Sequence, residues 1–337
     1  MKKVSQAIIM ITICFLVISG CGKEEVAPEP ETEVPTVEIE PEPQNIQPLT
    51  GVKTDEDIST FRPFAVIINN DPAARPQSGL YMADVVYELL VEGSITRFVA
   101  VYHSQQPEWI GPVRSAREYH IDLSNGYNAL FVAHGWSPEA KRLLEQERKA
   151  EFINGMYLDG TIFQRSSDRK APHNSYVSFS SMQKGLEDKG YILEGDFEPL
   201  LFHESVEKME GTNASTVSIN YSSNNVTFQY NQEEQIYHRF NGTTQTMDKE
   251  TETPVAVSNV FILETRHEVI DEQGRRDIDL TTGGKGLLIQ QGVVKEVEWV
   301  NDNGRLLPAE NGQILPFLPG QTWINIVPSL QGDVVIE

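Results

Sequence analysis

The stretch VVYELLVEGSITRFVAVY, residues 85–102, decides the fold. Two arms rich in β-branched and aromatic residues, VVYELLVE and ITRFVAVY, flank Gly93-Ser94, so the spacing predicts an antiparallel hairpin around a glycine turn. Strict alternation along the first arm puts Glu88 and Glu92 on one face with Val86 and Leu90. Carboxylates on a buried face need polar partners. Upstream, Phe61 to Ile68 reads as a buried strand that opens into the turn composition Asn69-Asn70-Asp71-Pro72 and leaves Asn70, Arg75 and Gln77 just past its end. Glu88, Glu92, Asn70 and Arg75 are therefore candidate polar partners around this strand edge.

Downstream, GPVRSAR at 111–117 precedes a helix running to about Ser124, and Ala129 to His134 reads as a further buried strand. Ser137 as N-cap with Pro138 at the first helical position starts a second helix, expected to reach about Lys149. Strand, helix, strand, helix order predicts an α/β domain over residues 55–200. After about Leu193 the pattern changes to short runs at 217–221, 226–230, 236–240, 255–263, 286–290, 293–299 and 322–327, separated by Asn, Gly and charged residues. That spacing predicts an antiparallel β-rich second domain over 201–337, a small barrel or sandwich.

The N-terminus reads differently. Lys2 and Lys3 precede an apolar run from Ala7 to Ile18, shorter than the ~20 residues a membrane-spanning helix needs but suited to a signal peptide over residues 1–20. The run ends Leu16-Val17-Ile18-Ser19-Gly20-Cys21, which resembles a bacterial lipobox and implies that Cys21 is acylated and becomes the first mature residue. Residues 21–54 follow as a tether rich in Glu and Pro, extended by polyproline geometry and like-charge repulsion. Cys14 and Cys21 are the two cysteines, so the exported chain is expected to have no free thiol and no disulfide.

With 27 Lys and Arg against 49 Asp and Glu, the chain has a formal charge of -22, which excludes nucleic acid as a partner. From Arg97 to His173, however, ten basic residues outweigh nine acidic ones. Arginine forks match carboxylate and phosphate oxygens, and helix starts and strand ends favour anions. Arg97, Arg114, Arg117, Arg165 and Arg169 are the candidate anion-binding residues, with His134, His173 and Asn174 as hydrogen-bonding partners. The alternative is that these arginines pair internally with Glu88, Glu92, Glu118 and Asp168. No metal is expected, since neither HExxH nor a paired-histidine motif is present. No cofactor is expected either, GGKG at 283–286 lacking the P-loop spacing, and the absence of Gly-x-Ser-x-Gly leaves no nucleophile-elbow signal for a serine hydrolase. Glu88 and Glu92, about 13 Å apart along a strand, are too distant for a glycosidase pair.

The segments ARPQSGLYMADVVYELLVEGSITRFVAVY, GPVRSAR, HGWS (134–137) and PHNS (172–175) resemble the YerB-like bacterial lipoproteins, a family of paired domains of unknown function. GGKGLLIQQGVVKEVEW and LPGQTWINIVP resemble that family's second domain. Trp136 stands where that pattern leads one to expect a second glycine. The resemblance implies a lipid-anchored two-domain protein on the extracytoplasmic face of the cell membrane. ITRFVAVYHSQQPEWIGPVRSAR is also similar to the strand and arginine loop of the LytR-CpsA-Psr wall-polymer ligases, whose arginines hold a polyprenyl-linked pyrophosphate; Arg97 and Arg114 match those arginines. Phe98 and Ser115 replace the Asp expected after each, so the similarity favours binding over metal-assisted transfer. The expected function is a non-catalytic envelope lipoprotein that binds an anionic cell-wall polymer, a lipid-linked precursor or a wall-synthesis protein. The alternatives are a pyrophosphate- or glycan-acting transferase or hydrolase using His134 or Glu88 as acid/base, and a structural partner scaffold.

Overall fold

The apolar run FAVIIN folds as strand β1 (Phe64–Asn69), buried at every position. Residues 85–102 form the expected hairpin, β2 (Val85–Glu92) and β3 (Ile95–Tyr102), turning at Gly93-Ser94. The computed structural model describes residues 45–337 except 206, 207 and 223; the expected signal peptide, Cys21 and the tether as far as residue 44 lie outside the described residues. Residues 45–54, given to the tether by composition, are folded: 45–46 pairs with 53–54, and Leu49 between them is fully buried. A single anchoring leucine outweighs the polar composition around it.

Next come β4 (Trp109–Ile110), α1 (Glu118–Asn125), β5 (Leu130–Ala133), α2 (Pro138–Glu145), β6 (Phe152–Asn154), β7 (Phe163–Arg165), β8 (Ser175–Ser178) and α3 (Phe179–Glu187). Helix α2 starts as its sequence dictates, with the Ser137 side chain accepting the Ala140 amide and Pro138 in the first turn. It ends at Glu145 rather than near Lys149, and Arg148 lies at φ +53°. Strand β5 runs parallel to β1 and to β6. The α/β pattern expected for residues 55–200 is thus confined to one β5-α2-β6 crossover, and strands outweigh helices throughout.

The second half supplies β9 (Thr216–Asn220), β10 (Asn225–Asn231), β11 (Ile236–Asn241), β12 (Asn259–Glu264), β13 (Gly284–Gln290), β14 (Val293–Asp302), β15 (Arg305–Glu310), β16 (Thr322–Val327) and β17 (Val334–Ile336). These strands are mostly antiparallel, as expected, but they divide between two sheets rather than closing into a separate barrel or sandwich. Strands β9, β10, β11 and β17, with 244–245 and 256–257, make a six-stranded sheet. Strands β12 to β15 instead extend the first-half sheet through β16, which lies parallel to both β12 and β2. The resulting twelve-stranded sheet runs 313–314, β15, β14, β13, β12, β16, β2, β3, β1, β5, β6, with 212–213 beside β14.

Side-chain alternation gives this sheet two cores. Val86, Leu90, Phe98 and Trp323 pack with Val217, Ile219, Phe228 and Tyr237 of the six-stranded sheet. On the other face Tyr87, Leu89 and Val99 join Tyr119, Ile121, Leu123 and Leu143 of α1 and α2. A bulge between Leu90 and Glu92 breaks the strict alternation, so Glu92 leaves the face that holds Glu88. Among the described residues, no helix is long and apolar enough to cross a membrane.

Candidate functional site

The carboxyl ends of the parallel strands β1, β5 and β6 define one edge of the large sheet, the edge at which open α/β sheets bind ligands. The GPVRSAR segment is zipped across it: Asn69 N donates to Pro112 O at 2.9 Å, Arg114 N to Ile67 O at 2.8 Å, His134 N to Arg114 O at 2.9 Å and Ala116 N to Gly135 O at 3.0 Å. The backbone thereby fixes Arg114 beside His134. The His134 ring is held at both nitrogens, with Nδ1 2.7 Å from Ser175 Oγ and Nε2 3.0 Å from Arg165 Nη2. Arg165 also donates to Asp159 Oδ2 at 2.9 Å and to Asn174 Oδ1 at 3.1 Å. Two glycines make room. A Cβ at Gly155 would lie 2.1 Å from the His134 ring, and Gly135 sits at φ +97° with its missing Cβ 2.7 Å from Ser115 Oγ.

The five candidate arginines fall into separate places. Arg97 donates to Ser115 O at 2.8 Å and to Glu92 Oε2 at 3.2 Å, and Arg117 pairs with the other Glu92 oxygen, so Glu92 ties two arginines to the hairpin tip. Arg169 donates to the carbonyls of Ala74 and Pro76, both at 2.6 Å, and to the Tyr176 hydroxyl at 2.8 Å, a clamp on the 74–76 loop. Arg165 is engaged with Asp159, Asn174 and His134. Arg114 alone of the five makes no side-chain hydrogen bond or ion pair among the described residues, and its Nε is buried without a partner. The structure therefore brings together Arg114, Arg165, His134 and Asn174. His173 lies beside the end of β1, its Nδ1 2.9 Å from Asn69 Nδ2.

Glu88, Asn70 and Arg75 are not part of this edge. Glu88 is fully buried between the two sheets and accepts from Asn70 Nδ2 at 3.0 Å, Thr96 Oγ1 at 2.9 Å, Trp323 Nε1 at 3.1 Å and Arg239 Nη2 at 2.9 and 3.1 Å. Asn70 Oδ1 in turn accepts from Arg75 Nε at 3.0 Å. Arg239, Thr96 and Trp323 gave no sequence signal, because the partner arginine stands 151 positions from Glu88. Ser175 was visible within PHNS. Asp159 reaches Arg165 because the chain doubles back between them.

The electrostatics of the edge favour an anion. Burial, and then the charge of Arg165, hold the His134 imidazole below its ordinary range, with Arg114 adding to the effect and Asp159 opposing it. Burial lowers the Arg114 guanidinium against the opposing charge of Asp71, and burial followed by the nearby Arg114 charge pushes Arg97 down to about 10. Hydrogen bonds from Arg165 lower the Asp159 carboxyl. Proton transfer has fewer candidates here. Glu88 is sealed from any substrate, and Ser175, 1% exposed, hydrogen-bonds His134 from below the surface. Among the described residues no group of three or more His, Cys, Asp or Glu is placed to hold a metal ion.

Comparison with known proteins adds family relationships to this geometry. The model described as "Protein of unknown function (DUF3048) N-terminal domain" matches residues 49–192, and its C-terminal counterpart matches residues 217–324. The chain is 46% identical over 334 residues to the Bacillus subtilis (strain 168) protein named "Putative lipoprotein YerB", covering 98% of this chain and 97% of the relative. The crystal structure of the YerB protein from Bacillus subtilis superposes with a TM-score of 0.82 at 48% identity, covering 87% of this chain and all of that one.

Proposed function

Because the chain belongs to the two-domain DUF3048 family, a relative of which is named a lipoprotein, we propose that it is a cell-envelope lipoprotein that binds an anionic wall-related ligand without turning it over. In this reading Cys21 carries the lipid, residues 1–20 are removed, and the folded part stands on the extracytoplasmic face of the cell membrane. Residues 55–200 supply the ligand site, and residues 201–337 serve as an interaction module for a wall-synthesis protein. The observation that carries the reading is Arg114, a half-buried guanidinium at the carboxyl edge of a sheet that makes no side-chain hydrogen bond or ion pair among the described residues and feels the Asp71 carboxylate only as a neighbouring charge. A desolvated cation left unpaired is costly to maintain and is satisfied by an incoming carboxylate or phosphate. Arg165 adds a second guanidinium beside it, oriented by its bonds to His134 and Asn174. Turnover is disfavoured because, of the two acid/base candidates, Glu88 is inaccessible and His134 has both ring nitrogens engaged by Ser175 and Arg165.

Melting curves of the fragment Pro43–Glu337 with polyprenyl pyrophosphates, teichoic-acid fragments and muropeptides test this. A ligand at about 100 times its Kd adds about 2.7 kcal/mol, a rise of roughly 5 to 10 °C at about 2 to 4 °C per kcal/mol. The rise is expected with one of these anions and lost in Arg114→Ala. Flat curves with all of them would replace this reading by the scaffold alternative, and release of product from a pyrophosphate donor would replace it by the transferase or hydrolase alternative.

A further inference from the structure

Arg75, too, makes no ion pair with a carboxylate among the described residues. Arg75 follows β1 and turns inward toward the buried Glu88 network. Its donors go to neutral oxygens: Nε to Asn70 Oδ1 at 3.0 Å, Nη2 to Asn70 O at 2.8 Å, and Nη2 also to Asn224 Oδ1. The carboxylate behind it, Glu88, is already taken up by Arg239, which grips both of its oxygens. The buried network therefore holds two guanidinium groups against one carboxylate. Burial, followed by the neighbouring charge of Arg239, pushes Arg75 down to about 10. Asp71, the remaining acidic neighbour, is partly exposed and uses a carboxylate oxygen to cap the Ala73 amide.

Arg75 opens onto a cleft of about 380 Å³ between the 72–77 loop and the hairpin that follows β11. Its lining includes the apolar Pro72, Pro76 and Met247 and the neutral polar Asn241, Thr244, Gln245 and Thr246. Arg75 and Gln77 complete the lining; Gln77 is 2% exposed, and its amide nitrogen donates to Asn69 O at 3.0 Å and Asn70 Oδ1 at 3.1 Å, which fixes its orientation and leaves Oε1 buried without a donor. One charged group in a slot whose other lining is neutral, with Pro72, Pro76 and Met247 as its apolar part, matches an amphipathic anion.

We propose that this cleft is a second ligand site, separate from the Arg114 edge, for a small organic carboxylate with an apolar body, whose carboxylate pairs with Arg75 while its body lies along Pro72, Pro76 and Met247. The ligand supplies the negative charge that the buried network lacks and draws the two sequence halves together, since Arg75 comes from the first and Thr244 and Met247 from the second.

Calorimetric titration of Pro43–Glu337 with hexanoate, 1-hexanol and inorganic phosphate tests the assignment. Hexanoate is expected to saturate one site at millimolar concentration or below, with hexanol and phosphate each weaker by at least about tenfold, the loss of one charge-assisted hydrogen bond or of the apolar contact. Arg75→Gln should weaken hexanoate by a similar factor. Thr244→Trp, which fills the slot without touching Arg75, should abolish hexanoate binding at unchanged Tm, and so decides the matter if Arg75→Gln fails to fold. Arg114→Ala should leave hexanoate binding as it was, whatever becomes of the anion site proposed there. The assignment is overturned if hexanoate fails to saturate, if hexanol or phosphate binds as tightly, or if Thr244→Trp binds hexanoate like the parent.

Discussion

Replacing Arg239 by Met probes the joint between the two sequence halves. Glu88 lies on β2 and Arg239 on β11, both with 0% side-chain exposure, and the guanidinium also sits 4.7 Å from the Trp323 ring centre and 5.3 Å from that of Phe98. Methionine keeps much of the apolar contact but removes both bonds to the carboxylate. Asn70, Thr96 and Trp323 still donate to Glu88, but none of them carries charge, and the Arg75 guanidinium that remains nearby reaches the carboxylate only through Asn70. Stranding a buried carboxylate in this way costs about 3 to 5 kcal/mol, or roughly 6 to 10 °C in Tm at about 2 °C per kcal/mol for a unit this large. Combining it with Glu88→Gln removes the stranded charge and should recover most of the loss, because the penalty comes from isolation of the carboxylate. Urea unfolding of Pro43–Glu337, followed by tryptophan fluorescence and by far-ultraviolet circular dichroism, measures both. The two signals should fall in one coincident transition, since β16 joins the halves in a single sheet. A loss under about 1 kcal/mol, an additive double variant, or two separate transitions would refute this reasoning.

Asp84 is fully buried, accepting the Ser104 amide at 3.0 Å and bonds from the Ser104 hydroxyl and the His103 amide, and burial raises its carboxyl from 3.8 to about 6. Its folded form holds the proton more tightly, so the stability it contributes is full below about pH 4 and falls as pH rises through 6, by about 3 kcal/mol. Asp84→Asn should remove that part of the slope in a series of urea titrations, and an unchanged slope would contradict the assignment. At the Arg114 edge, a bound anion favours the protonated imidazole, so ligand affinity should rise as pH falls from 7 toward 5.5 and become flatter in His134→Gln; a flat parent profile would separate His134 from the site. Gly155→Ala forces a methyl group into the His134 ring and should weaken the ligand by about tenfold or more, with a modest loss of Tm, whereas unaltered affinity would show that ring position is immaterial.

Much of the local structure was legible because local chemistry dictated it. The hairpin at Gly93-Ser94, the buried strand β1 and the Ser137-Pro138 helix start all depend on neighbours in sequence. The sheet they join was not legible. Strand β16 reads as a buried run, and nothing within six residues says that its partners are β2 and β12 rather than other second-half strands. The bulge at Leu90 and Glu92 likewise left no mark, and it moved Glu92 to the arginine side of the sheet. The charge count singled out the neighbourhood of the proposed site, and the GPVRSAR, HGWS and PHNS segments do meet there. Counting charges could not separate Arg114 from Arg97, Arg117 and Arg169, because pairing depends on Glu92 and on backbone carbonyls that only the tertiary fold brings within reach.

Equilibrium titration of one lipid-linked pyrophosphate against Pro43–Glu337 and its Arg114→Ala and Arg169→Ala variants bears most directly on the anion site. Arg114→Ala should weaken binding by at least about tenfold, the loss of a charge-assisted contact, while Arg169→Ala should lower Tm with affinity retained. Equal affinity in the parent and Arg114→Ala would contradict the assignment of this edge as the ligand site.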